Sequence, residues 1–307
     1  MPFVRRLLAL AALALLAASC STADTLASVN GNEITKADLN ALRPSYAEGS
    51  SLNAEQVRQD LTLLIVLEAV QDAALDQFGY EIAESDIADR LANPPSRYAS
   101  VIAPAEQFAD VTEQAIRASA IQSLVRDAVV PELARQELGG FDALITERPE
   151  EVTRSCVRHI STATFAEAQT VLERLQAGED FVAVAAEVSL DQASIDGLIA
   201  GADGDCLVWL SRAGREFANL AATAPLNEFA GPVATDNDWN IIRVEERLAP
   251  ASTAELEADA MEYFDPDFIS ALYTPWLNDV VRAANIDVSP TVGRWSEVGI
   301  GIAPPGE

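Results

Sequence analysis

Residues 156–191 read CVRHISTATFAEAQTVLERLQAGEDFVAVAAEVSLD. The stretch begins with a strand-like segment at 158–161, and a capping box that starts at Thr164 then predicts a helix. Apolar residues follow at helical spacing as far as Gly178, a residue that typically ends a helix, and 181–188 predicts a second helix. A strand that leads into two short helices predicts a compact α+β unit.

The same unit continues well beyond these two helices. Strand-like residues recur at 207–210, and a short helix is predicted at 217–222. Two further extended segments, 232–233 and 241–244, predict the arms of a closing hairpin. We therefore assign residues 151–249 to the α+β unit.

The sequence on both sides of this unit is mostly helical. Asn30-Gly31 predicts a tight hairpin, and long helices are predicted at 53–78 and 112–138, the second with Pro131 as a kink or a break. Helical periodicity returns after Thr253. The predicted domains are a signal peptide at 1–19, a helical N-terminal domain at 20–150, the α+β unit at 151–249 and a C-terminal helical segment at 250–307 that packs on the N-terminal domain.

Composition and charge argue against two classes of function, nucleic-acid binding and zinc binding. The chain of 307 residues has 48 Asp and Glu against 20 Lys and Arg, a formal net charge of −28. This charge argues against a nucleic-acid partner, because a phosphate backbone is bound by clustered Lys and Arg. One His and three Cys supply too few nitrogen and sulfur ligands for a zinc site, so we expect no metal.

The N-terminus has the features of an export signal. Arg5 and Arg6 precede an apolar run at 7–16, and small residues then lead to Cys20. Small residues directly before a Cys resemble the bacterial lipobox, although Ala17 stands where Leu is most frequent. This resemblance implies that Cys20 is lipidated and that the chain is anchored to a membrane outside the cytoplasm. The alternative is an ordinary signal peptide whose removal leaves a free thiol.

The two remaining cysteines are expected to form a disulfide. Cys156 and Cys206 are an even number in an oxidising compartment, and both fall in strand-like segments. The alternative is a pair of buried free thiols.

Four blocks of the α+β unit resemble the parvulin-type, PpiC-like peptidyl-prolyl cis-trans isomerase family. They occur in the family's order and at its spacing. A shorter motif, VNGNEITKADL at 29–39, resembles the N-terminal domain of SurA and of related foldase lipoproteins. The four blocks are VRHIS at 157–161, EAQTVLERLQAGEDFVAVAAEVSLD at 167–191, GDCLVWLSR at 204–212 and FAGPVATDNDWNIIRVEER at 229–247.

This resemblance implies an α+β protein in which a parvulin domain is inserted into a mostly helical SurA-like lobe. It also implies a foldase that needs no cofactor and acts on unfolded or nascent exported proteins with X-Pro bonds. The implied catalytic residues are His159, Asp191, Thr235 and Asn240, and the implied substrate-binding residues are Phe217 and Leu210.

Three departures from the family pattern bear on activity. Asn240 stands where the family has a second histidine, Val208 replaces a glycine, and RAGREF at 212–217 lacks the methionine that helps to line the proline cup. The sequence therefore leaves open an isomerase of reduced activity and an inactive SurA-like holdase that binds extended apolar segments. A purely structural envelope lipoprotein is a third reading.

Overall fold

The computed structural model describes residues 24–42, 53–102, 112–192, 195–201 and 204–306. The predicted signal peptide and Cys20 lie outside these segments. The described helices are α1 (Lys36–Leu42), α2 (Ala54–Phe78), α3 (Glu84–Ala92), α4 (Glu113–Leu138), α5 (Phe141–Glu147), α6 (Phe165–Gln176), α7 (Phe181–Val188), α8 (Arg215–Thr223), α9 (Thr253–Tyr263) and α10 (Pro266–Ala283). The described strands are β1 (Thr25–Val29), β2 (Asn32–Thr35), β3 (Arg154–Thr162), β4 (Phe229–Ala234), β5 (Trp239–Leu248), β6 (Ile286–Val288), β7 (Arg294–Ser296) and β8 (Gly301–Ala303).

Helices and small antiparallel sheets alternate along the chain, so the fold is of the predicted α+β class. Spatial contacts divide the chain into two compact units, one of Met1–Asp72, Glu84–Ile121 and Val280–Glu307, the other of Ala73–Ala83 and Gln122–Asp279. This division follows contacts rather than the change of sequence pattern at Pro149, and the domain boundaries given above stay a prediction. Within the described segments, no helix is both long and apolar enough to cross a membrane.

The first unit contains the hairpin predicted at Asn30-Gly31. Both residues have positive φ, 52° and 95°, as a type I′ turn requires, and β1 and β2 pair on either side of them. Strand β6 adds to the other edge of β1, with Val29 opposite Ile286. The sheet order is therefore β2-β1-β6.

The second unit has a helical core and a sheet core. In the helical core, α4 continues through Pro131, so of the predicted kink or break the break does not occur. Val130 and Ala134 on either side are fully buried, and their packing offsets the main-chain hydrogen bond that proline cannot make. The same apolar cluster contains Phe141 of α5 and Phe264 at the end of α9.

The sheet of the second unit has the order β3-β5-β4 and is covered on both faces. Val157 and Ile242 pack with the apolar residues of α8 on one face. Ile160 and Ile241 pack with α6 and α7 on the other face. This alternation along β3 and β5 is what a two-sided buried sheet requires.

The segment 207–210 does not form the predicted strand. Only Val208 pairs with β3, through two backbone hydrogen bonds to Ser155. Immediately afterwards this edge of β3 is occupied by another segment, because Arg158 pairs with Leu198 and the N–H of Ile199 donates to the carbonyl of Val157 at 2.9 Å. The predicted disulfide is present, with the Cα atoms of Cys156 and Cys206 4.6 Å apart.

Candidate active site

Strand β3 presents His159 on the face that α8 covers. Val157 belongs to the apolar cluster of α8, so the alternation of side chains places His159 and Ser161 on that same face. The imidazole meets the ring of Phe217 edge to face, with centroids 6.3 Å apart and planes at 86°. Only 12% of the His159 side chain is exposed.

Both nitrogens of the His159 ring have partners. Nδ1 lies 2.8 Å from Oδ1 of Asn240, and Nε2 lies 3.0 Å from Oδ2 of Asp191. The Asn240 amide nitrogen donates to Asp238 at 2.8 Å, so the amide oxygen is left to accept from Nδ1–H. Nε2 then faces a carboxylate oxygen. The imidazole is therefore held on both sides, by Asn240 of β5 and by Asp191 after α7.

Asp238 is the centre of a second set of hydrogen bonds behind His159. Its carboxylate accepts from the hydroxyls of Ser161 and Thr235 and from the amide of Asn240. Burial acts to raise the pKa of Asp238, but these three hydrogen bonds and the neighbouring His159 together hold that pKa below its ordinary value. Asp238 is therefore a stable anion beneath the site.

Asp238 is not among the site residues predicted from the sequence. Two features could have indicated it: its position two residues before Asn240, which puts both side chains on one face of an extended chain, and its spacing from Thr235 across a tight turn. Thr235 bonds Asp238 through its main chain as well, at 2.9 Å from N to O. The structure therefore places Thr235 in the turn that supports the site, linked to Asn240 through the Asp238 carboxylate.

The segment after α7 is hydrogen-bonded to β3, and this positions Asp191 beside His159. The N–H of Leu190 donates to the carbonyl of Ser161 at 2.9 Å, and the Ser189 hydroxyl accepts from the N–H of Ser161 at 3.2 Å. Gly197 follows in the next turn with φ +72°, and a Cβ there would lie 2.6 Å from the carbonyl oxygen of His159. Only glycine allows this approach without a shift of β3.

The two predicted substrate-binding residues lie in the core beneath the site. Phe217 is 1% exposed and Leu210 is 5% exposed, and both pack against Val157 and Ile242. Neither side chain opens to solvent in this structure. A groove of about 530 Å³ lies beside them between α8 and β4, lined by Arg215, Glu216, Asn219, Leu220, Gly231, Pro232 and Val233.

The groove adjoins the polar network through the sheet. Val233 of β4 is the register partner of Asn240 in β5. Of the predicted catalytic residues, the structure thus brings together His159, Asp191 and Asn240 directly and Thr235 through Asp238. Within the described segments, no group of three or more His, Cys, Asp or Glu side chains is placed to hold a metal ion.

Residues 154–246 match the family described as "Rotamase: PPIC-type PPIASE domain". A parvulin-like PPIase of Rickettsia bellii is 31% identical over 137 residues, which are 43% of this chain and 45% of that protein. A parvulin-like PPIase of Rickettsia typhi is 30% identical over the same length, 46% of that protein. The chain thus matches less than half the length of these relatives. The α+β unit carries a PPIC-type domain, as its four sequence blocks predict.

Two solved structures of similar proteins cover more of the chain. Peptidylprolyl isomerase PrsA of Bacillus anthracis is 15% identical, covers 71% of this chain and 96% of its own, and superposes with a TM-score of 0.41. One of the SurA-like chaperones of Campylobacter jejuni is 11% identical, covers 87% of this chain and 99% of its own, and gives a TM-score of 0.27.

Proposed function

We propose that this chain is a foldase of the bacterial envelope whose PPIC-type domain isomerises X-Pro bonds in exported proteins. The hydrogen-bonded set of His159, Asp191 and Asn240 carries the proposal, because it occupies the matched domain at the positions that the family blocks indicate. Unfolded or nascent exported chains would be its substrates.

Isomerisation of an X-Pro bond requires only rotation about the amide bond. The barrier is the resonance of the amide, about 18–20 kcal/mol, and no covalent intermediate or cofactor is needed. An enzyme lowers the barrier by binding the twisted amide more tightly than the planar one. We assign His159 and Asp191 to the polar wall of the site, the surface that contacts the prolyl amide. Asn240 and Thr235 hold this wall in place through their hydrogen bonds to Asp238.

A second candidate function is a holdase chaperone that binds extended apolar segments without turnover. The burial of Phe217 and Leu210 favours it, because a proline cup must present apolar surface to its substrate. Asn240 favours it too, since an amide cannot titrate as an imidazole does. In both cases the partner is an unfolded polypeptide.

The deciding experiment is a protease-coupled isomerase assay on X-Pro peptides, run beside an aggregation assay with an unfolded client protein. Asp191→Ala removes the partner of the His159 Nε2 atom, and Asp236→Ala, at an exposed carboxylate in the turn that leads into β5, is the matched control. Turnover that is lost in Asp191→Ala and kept in Asp236→Ala supports the isomerase. Suppression of aggregation without turnover in the wild type selects the holdase and overturns the isomerase.

We also propose that the mature chain is attached to a membrane outside the cytoplasm through lipid on Cys20. The Cys156–Cys206 disulfide supports this location, because such bonds persist in oxidising compartments. We further propose the domain boundaries 20–150, 151–249 and 250–307, with the outer two forming one lobe.

A further inference from the structure

Glu150 is a buried carboxylate that lies outside the matched domain of residues 154–246. Its side chain is 2% exposed, and it sits in the turn Pro149–Val152 that leads directly into β3. One carboxylate oxygen accepts from Nε of Arg215 at 2.9 Å, and the other accepts from the amide nitrogen of Asn219 at 3.2 Å. A buried charge is retained only where such partners satisfy it.

Both partners of Glu150 lie on α8, one helical turn apart. Arg215 is the first residue of that helix, so Glu150 holds its N-terminal turn. The other end of α8 is held from β5, because the guanidinium of Arg247 donates to the carbonyl of Ala221 at 2.8 Å. Helix α8 is therefore fixed at both ends.

Phe217 lies on α8 between the two residues that Glu150 holds. Its ring is the apolar neighbour of His159, at a centroid distance of 6.3 Å. The turn that carries Glu150 continues into β3, the strand that carries His159. One carboxylate thus ties the helix behind Phe217 to the strand that carries His159.

We propose that Glu150 is a positioning residue of the site: through Arg215 and Asn219 it sets α8 and thereby holds the Phe217 ring against His159. Its part in the reaction rests on the proposed isomerase function, whereas its effect on the position of α8 does not. The neighbouring Glu151 serves as the comparison, since its carboxylate pairs with Arg148 at 2.5 Å.

His159 is the one histidine of the chain, so its Cε1–H proton gives a single, directly assignable NMR signal. The ring current of Phe217 acts on that signal, and Phe217→Leu in the full untagged chain measures its contribution. We expect Glu150→Ala to shift the signal in the same direction as Phe217→Leu, and Glu151→Gln to leave it in place. Glu150→Gln keeps the size and one acceptor oxygen of the side chain, so it should give a smaller shift.

Kinetics on an X-Pro peptide provide the second measurement. A misplaced wall weakens binding of ground and transition states alike, so Glu150→Ala should raise KM about fivefold with a smaller change in kcat. Glu150→Gln should recover part of the loss, and Glu151→Gln should resemble the wild type.

An unmoved His159 signal in folded Glu150→Ala overturns the proposal, as does an equal shift in Glu151→Gln. If Glu150→Ala does not fold, Glu150→Gln decides on the same two measurements. If the wild type shows no turnover, the isomerase function fails, while the NMR comparison still tests how α8 is positioned.

Discussion

Asn240 forms hydrogen bonds to a donor and to an acceptor at the same time. Its oxygen faces Nδ1 of His159 and its nitrogen faces the Asp238 carboxylate, and the residue is 2% exposed. An imidazole at this position could make the same two contacts, but it could also exchange a proton with its neighbours. Asn240, at the position where the family has a histidine, therefore keeps the hydrogen bonds to His159 and Asp238 but supplies no side chain that can take up or release a proton.

Replacing Asn240 with His tests whether the absence of a second imidazole beside His159 limits the reaction rate. We expect Asn240→His to raise kcat on an X-Pro peptide severalfold with little change in KM, because the new imidazole adjoins His159 beside the amide and not the groove. The protease-coupled assay measures both constants. An unchanged kcat in a folded variant would show that the buried position of Phe217 limits turnover instead.

The ionisation of Asp238 makes the free energy of unfolding depend on pH. Its pKa is lowered in the folded protein, so its stabilising contribution is complete above the ordinary aspartate value, about 3.9, and is lost as pH falls through the lower, folded value. We expect Asp238→Asn to reduce the free energy of unfolding at pH 7 by about 1–3 kcal/mol. The difference from the wild type should shrink in urea titrations at pH 3.

Asp236→Asn is the control for this prediction, because that carboxylate is exposed in the same turn. It should leave the free energy of unfolding close to the wild-type value at both pH values. A difference between Asp238→Asn and the wild type that stays constant from pH 7 to pH 3 would contradict the role given to the Asp238 charge.

At the scale of single elements, local signals predicted the structure well. The Asn30-Gly31 turn, the capping box of Thr164 and Glu167 and the helix end at Gly178 all appear as the sequence indicates. Each depends on residues within one or two turns of chain, where side-chain hydrogen bonds and positive φ decide the conformation.

Features that depend on distant partners were harder to predict. Segment 207–210 has the composition of a strand, but after one pair the edge of β3 is occupied by residues 198–199. Asp238 reads as an ordinary turn residue until the donors around it are brought together. The burial of Phe217 and Leu210 depends on how tightly α8 packs on the sheet, which periodicity does not report. His159 and Asp191 were found through the family blocks, not through any local pattern.

The disulfide is an element whose contribution can be estimated. It closes a loop of 50 residues, so the chain-entropy relation gives about 4 kcal/mol of stabilisation. We expect the double variant Cys156→Ala, Cys206→Ala to lose about that free energy of unfolding in urea titrations. Reduced wild-type protein is the matched control and should lose a similar amount. A loss below about 1 kcal/mol in both would mean that the loop is ordered in the unfolded chain.

At the scale of the whole molecule, charge constrains how the protein could meet a membrane. Without Arg5 and Arg6 of the predicted signal, 18 basic residues face 48 acidic ones, a net charge of −30. Such a chain is repelled by anionic head groups, since membrane-binding segments attract them with clustered Lys and Arg. The same charge would favour encounters with basic segments of unfolded clients.

Attachment would therefore depend on acyl chains at Cys20. We expect Cys20→Ser, expressed in the bacterial host, to move the mature protein from the membrane fraction to the soluble fraction. A lipid contributes about 0.8 kcal/mol for each buried CH₂, and stable anchoring takes two chains or more, so loss of the acylation site should release nearly all of the protein. Ser19→Ala retains a small residue before Cys20 and should stay in the membrane fraction. If Cys20→Ser also stays there after a high-salt wash, the anchor lies elsewhere in the chain, and the lipobox interpretation is wrong.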